Sequence, residues 1–168
     1  MGKVCLPVER SRKKFNKMKF LKIIGLALLI AFVGIQFIPT KLNQDDYIPK
    51  SDFTVIYEVP ENINKILQTS CYDCHSNNTN YPWYNKIQPF TWYLNDHIEE
   101  GKEELNFSEF GEYSSRRQSS KLRSISSQVE DGEMPLSSYT LVHWDAKLSD
   151  KEKKKFIAWM DSLAKEVR

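Results

Sequence analysis

The chain has 168 residues, of which 40% are hydrophobic and 27% are charged, enough for one compact domain and an additional segment. Its net charge of +2 is unevenly distributed, because residues 1–22 hold eight Lys or Arg and one acidic residue. That segment therefore carries +7 and the rest of the chain carries −5. A mildly acidic body does not favour nucleic-acid binding, so we expect no nucleic-acid partner.

The N-terminal part is predicted to be a basic cytoplasmic tail (1–19) followed by a transmembrane signal anchor (20–38). The anchor reads FLKIIGLALLIAFVGIQFI, in which only Lys22 and Gln36 are strongly polar. Nineteen helical residues at ~1.5 Å each extend ~28 Å, close to the thickness of a hydrocarbon core. Basic residues on the N-terminal side predict a single-pass protein with a cytoplasmic N-terminus and an extracytoplasmic, periplasmic body.

Two other interpretations of the apolar stretch are a buried core helix and a cleavable signal peptide. A core helix rarely contains so long an uninterrupted apolar run. No small-x-small cleavage site follows, because the run continues into Gln36-Phe37-Ile38-Pro39. We therefore favour an uncleaved anchor. Met18 could also start a compact anchor, so residues 1–17 are either a short tail or precede the true start. Cys5, in this tail, is expected to be a free thiol.

Residues 39–60 are predicted to be a linker, because they contain Pro39, Pro49 and Pro60 and show no sustained apolar period. Within them, FTVIYEV (53–59) is expected to form a short extended piece. Residues 61–168 are predicted to form one compact domain.

That domain is predicted to be all-α. Apolar residues at helical spacing predict helices over residues 61–70, 89–100 and 115–131 and from Ser149 onward. Gly101 and Gly132 are expected to end the second and third helices. Ser149 and Glu152 form the S-x-x-E pattern of a capping box at the start of the last helix. No strand pattern alternates with these helices.

The chemistry of the domain is concentrated in SCYDCH (70–75), where Cys71, Cys74 and His75 have the spacing C-x-x-C-H. A redox disulfide usually follows a strand in a βαβ unit, and that context is missing. Zinc requires about four ligands, which Cys71, Cys74, His97 and His143 could supply. No second closely spaced ligand pair is present, and zinc would leave His75 without a role.

Covalent haem attachment uses all three residues. Each cysteine forms a thioether with a haem vinyl group, and the following histidine binds the iron as its proximal ligand. Attachment normally takes place after export, which agrees with the predicted topology. We therefore predict one covalently attached haem c, held by Cys71 and Cys74, with iron bound by His75.

The distal iron ligand has three candidates, Met134, His97 and His143. We favour Met134, with His97 as the alternative. Met134 lies in GEMPLSSY (132–139), an irregular segment after a predicted helix end, from which a thioether could point inward. Ordinary core packing is the other role of such a methionine.

The segment YPWYNKIQPFTWY (81–93) contains six aromatic residues among thirteen. A haem is large, flat and apolar, so aromatic side chains suit its pocket. We select Tyr81, Trp83 and Trp92 as candidate pocket residues, although each could equally belong to an ordinary domain core.

Three stretches carry a family resemblance: CYDCHSNNTNYPWYNKIQPFTWYLNDHIEEGKEELNFSEF (71–110), GEMPLSSYTLVH and LSDKEKKKFIAWM. Together they resemble a haem-binding domain family with a C-x-x-C-H motif, which is similar in style to monohaem cytochromes c. The resemblance implies a small cytochrome c-like helical domain in which Cys71 and Cys74 attach the haem and His75 binds the iron. The Met-Pro pair at 134–135 looks like the distal-ligand segment of a cytochrome c. The long aromatic insert and His97 depart from the common cytochrome c pattern.

These features predict a membrane-anchored, extracytoplasmic electron carrier rather than a catalyst, with a redox protein as its partner. A haem-based sensor or gas-binding module is the first alternative and would need an open sixth position on the iron. A peroxidase-like enzyme is the second, and His97 would be its candidate acid–base residue.

Overall fold

The computed structural model describes residues 8–45 and 47–167, with side chains from residue 17 onward. The described residues form eight α-helices and three short 3₁₀ helices. The α-helices are α1 (Val8–Ile35), α2 (Phe53–Ile56), α3 (Glu61–Ser70), α4 (Tyr72–His75), α5 (Phe90–Glu104), α6 (Ser115–Glu130), α7 (Ser137–Thr140) and α8 (Asp150–Glu166). Within the described ranges, the only extended pairing is a single bridge between Gln44 and Asn78. The predicted all-α fold, preceded by one apolar helix, is confirmed.

The N-terminal helix α1 contains the segment Lys17–Ile35, which is 19 residues long and has a mean hydropathy of 2.2. None of that segment is buried against the rest of the chain. By length and composition this helix could cross a membrane. It ends at Ile35, three residues before the predicted end of the span. Cys5 lies outside the described residues.

The stretch predicted as a linker makes extensive contacts with the domain. Phe53 is fully buried against Phe107 and Phe110, with ring centroids 5.3 and 5.0 Å apart. The extended conformation expected for residues 53–59 is wrong for residues 53–56, because Asp52 accepts a hydrogen bond from the Thr54 backbone N–H at 2.8 Å and starts the turn α2, whereas Tyr57 after that turn is extended.

The hydrophobic core lies between α3, α6 and α8 and includes the 3₁₀ helix Phe107–Glu112. Helix α3 occupies the predicted residues, with Ile63, Ile66 and Leu67 buried. The capping box predicted for α8 is present, since Ser149 accepts from the Glu152 N–H and Glu152 accepts from the Ser149 N–H. These apolar faces supply most of the buried area that stabilises the domain.

Two predicted helix ends have different outcomes. Gly132 follows the end of α6 in a left-handed conformation (φ 75°), and the Glu133 N–H donates to the Gln128 carbonyl at 3.0 Å, so this stop is confirmed. The end predicted at Gly101 is wrong, because α5 continues through it to Glu104. The helix continues because the backbone of Cys74 packs closely against Gly101, so this glycine serves a close approach and not a helix end.

Candidate functional site

Cys71 joins α3 to α4, the single turn that carries Cys74 and His75. The Cys71 N–H donates to the Leu67 carbonyl at 3.0 Å, and the His75 N–H donates to the Cys71 carbonyl at 3.0 Å. Helical spacings of three and four place Cys71, Cys74 and His75 on one side of this turn. Both cysteines are free thiols, and all three side chains are half-buried.

The first residue between the cysteines, Tyr72, fixes the turn to the core. Its ring is stacked on Phe107, with centroids 5.1 Å apart and planes 5° from parallel. Its hydroxyl donates to the buried carboxylate of Asp52 at 3.0 Å. Burial, and then the Asp52 charge, raise the pKa of Tyr72 above its ordinary value, so the phenol stays protonated and able to donate.

The second residue between the cysteines, Asp73, joins α4 to two other segments. One carboxylate oxygen accepts from the Asn80 backbone N–H at 3.0 Å, and the other accepts from the Tyr139 hydroxyl at 2.6 Å. Burial and the bond to Asp73 raise the pKa of Tyr139. The Tyr139 ring is stacked on His143 at 4.3 Å, and His143 Nε2 is 2.8 Å from the Tyr84 hydroxyl. Helix α7 is thereby held beside the cysteine pair.

The imidazole of His75 is oriented by α5. Its Nδ1 lies 2.8 Å from the Gly101 carbonyl oxygen and 3.1 Å from the Leu105 carbonyl oxygen. Carbonyl oxygens only accept hydrogen bonds, so Nδ1 carries the proton and Nε2 keeps its lone pair. Burial lowers the pKa of His75 and further favours this neutral form. A neutral histidine whose Nδ1–H is bound to backbone carbonyls is arranged as a metal ligand.

Gly101 explains the close approach of α5 to α4. A Cβ atom at this position would lie 2.8 Å from the Cys74 carbonyl oxygen. That distance is shorter than the contacts that Cβ atoms make in proteins. Only glycine lets the helix pass this close, which in turn brings the Gly101 carbonyl within hydrogen-bond distance of His75. Sequence reasoning assigned Gly101 to a helix end, although a glycine inside an apolar helical period also signals close backbone approach.

The two thiols have high pKa values. Burial, and then the Cys74 charge, raise the pKa of Cys71 to about 12, while burial and the Asp73 charge raise that of Cys74 to about 11. Redox-active C-x-x-C pairs show the opposite shift, because they need a thiolate near neutral pH. In the part of the chain that is described, no group of three or more His, Cys, Asp or Glu side chains could hold a metal ion.

Among the described residues, three cavities are lined by at least one of Cys71, Cys74 and His75. The largest, about 770 Å³, is almost wholly apolar and reaches Cys74. A second, about 290 Å³, is lined by both cysteines and His75, and a third, about 270 Å³, is lined by Cys71 and His75. The largest lies within the range of roughly 300–1,000 Å³ usual for ligand pockets. Apolar walls, two unpaired thiols and a histidine with a free Nε2 fit a haem bound through both cysteines.

Two of the three candidate distal ligands, Met134 and His97, line the second cavity, whereas His143 lies outside it and its Nε2 is hydrogen-bonded to the Tyr84 hydroxyl. Met134 lines it and the third cavity together with His75, and His97 lines it and the largest cavity. His97 Nδ1 lies 2.9 Å from the Tyr93 carbonyl oxygen, and its ring is 4.2 Å from that of Tyr93. Both side chains therefore remain candidates, and their assignment stays a prediction.

The three aromatic candidates are placed differently. Trp83 lines the largest cavity, whereas Tyr81 and Trp92 are absent from its lining. The Tyr81 hydroxyl accepts from the Asn43 N–H at 2.9 Å and donates to Asn95 at 3.1 Å, so it fixes residues 41–45 to the domain. Tyr139, which lines the largest and second cavities, was missed because its role depends on a contact 66 residues away.

A family model described as a haem-binding domain matches residues 30–162, from the end of α1 into α8. The match covers most of the chain, including the C-x-x-C-H turn and the cavities around it. The chain therefore belongs to the haem-binding domain family. No curated protein and no solved structure gives a significant match.

Proposed function

We propose that this haem-binding protein is a membrane-anchored, extracytoplasmic monohaem c-type cytochrome-like electron carrier. In this proposal Cys71 and Cys74 bind haem c covalently and His75 is its proximal ligand. The observation that carries the proposal is the neutral His75, protonated on Nδ1, on the same turn as two free thiols at the wall of an apolar cavity. A bound haem supplies an iron that gains or loses a single electron.

The chain's own residues would set the conditions for that exchange. The Gly101 and Leu105 carbonyls hold the His75 ring in one orientation and increase the basicity of Nε2. The apolar lining of the large cavity keeps water from the bound group, which influences its reduction potential. The two tethers from Tyr72 and Asp73 keep the cysteines in place.

For the distal ligand, the orientation of His75 favours Met134 over His97. Nδ1 of His75 faces α5, and Nε2 lies toward the other edge of the imidazole ring. His75 would hold an iron at Nε2, the ring nitrogen that is not hydrogen-bonded to the Gly101 and Leu105 carbonyls. His97 belongs to α5, one turn before Gly101, and so starts from the proximal side. Met134 comes from the loop between α6 and α7, a different element, and lines both cavities that His75 lines, whereas His97 lines only one of them.

The membrane part of the proposal rests on α1. None of its apolar segment is buried against the rest of the chain, which is unfavourable in water and favourable in lipid. The excess of basic residues before it supports a cytoplasmic N-terminus. The haem domain would then lie on the opposite, periplasmic side, where a soluble or membrane-bound redox protein would exchange electrons with it.

Covalent attachment is tested by replacing both cysteines. The Cys71→Ser, Cys74→Ser double variant should lose haem peroxidase staining after denaturing electrophoresis, while the wild type keeps it. Cys5→Ser is the matched control, because it removes the remaining cysteine and should leave the stain unchanged. Stain that persists on the double variant would refute covalent attachment through these thiols.

Electron transfer is tested against gas binding with carbon monoxide. A carrier whose iron has two protein ligands should titrate as a one-electron couple and bind carbon monoxide poorly when reduced. Rapid, tight binding by the reduced wild type would instead support a sensor or gas-binding module.

A further inference from the structure

The folded domain is bound to the end of α1 through Gln36, the residue immediately after the helix. The Gln88 backbone N–H donates to Gln36 Oε1 at 2.9 Å, and Gln36 Nε2 donates to the Gln88 carbonyl at 3.2 Å. The buried Gln88 side chain in turn donates to Thr40 Oγ1 at 3.0 Å. The chain that leaves α1 is therefore held against the loop before α5 by three hydrogen bonds.

This contact fixes the depth of the neighbouring segment relative to the membrane. If Lys17–Ile35 spans the hydrocarbon core, Gln36 and its partner Gln88 lie at the boundary of that core. Phe90 follows two residues later, so its Cα is at most about 7 Å from that of Gln88. The headgroup layer on each side is roughly 5–8 Å thick, so the start of α5 falls within it or at its outer edge.

The exposed aromatic side chains on either side of Gln88 in the sequence are of types that membrane interfaces favour. Trp83 is 76% exposed, and Phe90 and Tyr93 are each 56% exposed. Trp92, which does not line the large cavity, is 38% exposed. Trp and Tyr are enriched at membrane–water interfaces because their rings are apolar at one end and polar at the other. Trp83, Phe90 and Tyr93 also line the large cavity, so a bound haem would cover part of each of these rings, whereas Trp92 lies outside that lining and is available to the membrane surface.

Two exposed cations lie beside the same contact. Lys41 follows Thr40, and Lys86 precedes Gln88 by two residues. Ammonium groups at headgroup depth attract lipid phosphates, and lysine stems pack along apolar surface while the charge reaches the polar layer.

We infer that residues 83–93 form a membrane-contact surface, which seats the domain on the headgroups of the bilayer that its own α1 crosses. This inference rests on the proposed membrane anchor and goes beyond it, because an anchor alone allows the domain to stand away from the lipid. It has a consequence for the haem site. The large cavity is lined by Trp83, Phe90 and Tyr93, so it opens beside the lipid surface and not toward bulk water.

The test uses the full chain in phosphatidylcholine nanodiscs that contain a phosphatidylcholine with a photoreactive diazirine near its headgroup. After irradiation, mass spectrometry locates the lipid adducts. We expect adducts on peptides covering 83–93 as well as on the end of α1, and few on α6 or α8. Adducts spread evenly over the domain, or confined to α1, would overturn the inference and leave the anchor in place. The absence of adducts on α1 itself would overturn the anchor and the inference together.

A tether variant tests the cause. Gln36→Ala removes both hydrogen bonds to Gln88 and should lose most adducts on 83–93, while adducts on the end of α1 persist. Gln68→Ala is the matched control, because this exposed glutamine lies on α3 and contacts neither Gln36 nor Gln88. An adduct pattern that is unchanged in Gln36→Ala would refute the role of the tether in seating the domain. Haem staining, which should be retained in both variants, reports independently on the haem site.

Discussion

The Nδ1 atom of His75 lies 2.8 Å from the carbonyl oxygen of Gly101, and a Cβ atom on that same glycine would lie 2.8 Å from the carbonyl oxygen of Cys74. One residue without a side chain therefore serves two purposes. It lets α5 approach the cysteine turn, and its carbonyl orients the imidazole. The geometry of the histidine depends on the closeness of the two backbones.

Replacing this glycine should destabilise the protein, although alanine normally favours a helix. In an ordinary exposed helix position, Gly→Ala stabilises by about 1 kcal/mol. In Gly101→Ala, the new methyl group would collide with the Cys74 carbonyl, and such overpacking costs roughly 1–3 kcal/mol. We expect a lower free energy of unfolding in urea and a shifted haem absorption spectrum, because His75 must move.

The control for that experiment is Glu103→Ala, an exposed position two residues further along α5. Its free energy of unfolding should change by no more than about 0.5 kcal/mol. A Gly101→Ala variant that is more stable than the wild type would contradict the close approach.

The core and the helices that form it could be predicted from sequence because their signals are local. The apolar period over 61–70, the Ser149–Glu152 capping box and the stop at Gly132 each depend on residues a few positions apart. Gly101 could not be assigned in the same way, because a glycine that ends a helix and one that admits a neighbouring backbone look alike in a single sequence.

The site itself could be predicted only where one short segment carries it. Cys71, Cys74 and His75 lie within five residues, so their spacing is visible. The bond between Asp73 and Tyr139 joins residues 66 apart, and that between Gln36 and Gln88 joins residues 52 apart. Such contacts arise from the packing of whole helices, and no local period encodes them.

In the haem-free protein, Cys71 and Cys74 should react slowly with alkylating reagents. With pKa values of about 12 and 11 for Cys71 and Cys74, their thiolate fractions at pH 8 are about 1,000-fold and 100-fold below that of a thiol with a pKa of 9.0. In a haem-free chain carrying Cys5→Ser, the rate with iodoacetamide should be correspondingly low and should rise about tenfold per pH unit beyond pH 9.

Denaturant provides the comparison for that measurement. Unfolding removes the burial that raises both pKa values, so the rate in guanidinium chloride should be much faster and level off near pH 9. Equal rates in the native and denatured chain, or a native plateau below pH 8, would contradict the protected thiols and favour a redox pair.

Tyr72→Phe should destabilise the protein without preventing haem attachment. The variant keeps the ring stacked on Phe107 and removes the hydroxyl that donates to the buried Asp52 carboxylate. A hydrogen bond to a charged group contributes about 1.5–3 kcal/mol, and Asp52 retains its bonds from Thr54. Urea denaturation should show a loss in this range, whereas Tyr47→Phe, at an exposed tyrosine, should show none. A loss in both variants, or in neither, would argue against the Asp52 contact.

Met134 and His97 should differ in their effect on the reduction potential. A thioether ligand raises the potential relative to a second histidine. If Met134 is the distal ligand, Met134→Ala should lower the potential and allow the reduced iron to bind carbon monoxide. His97→Ala should leave both properties nearly unchanged, because His97 starts from α5 on the side of the His75 ring that faces Gly101.

Met160→Ala is a suitable control for methionine loss, since Met160 is buried in the core on α8 and should affect stability rather than potential. If carbon monoxide binds readily to His97→Ala and not to Met134→Ala, the assignment is reversed and Met134 is a packing residue.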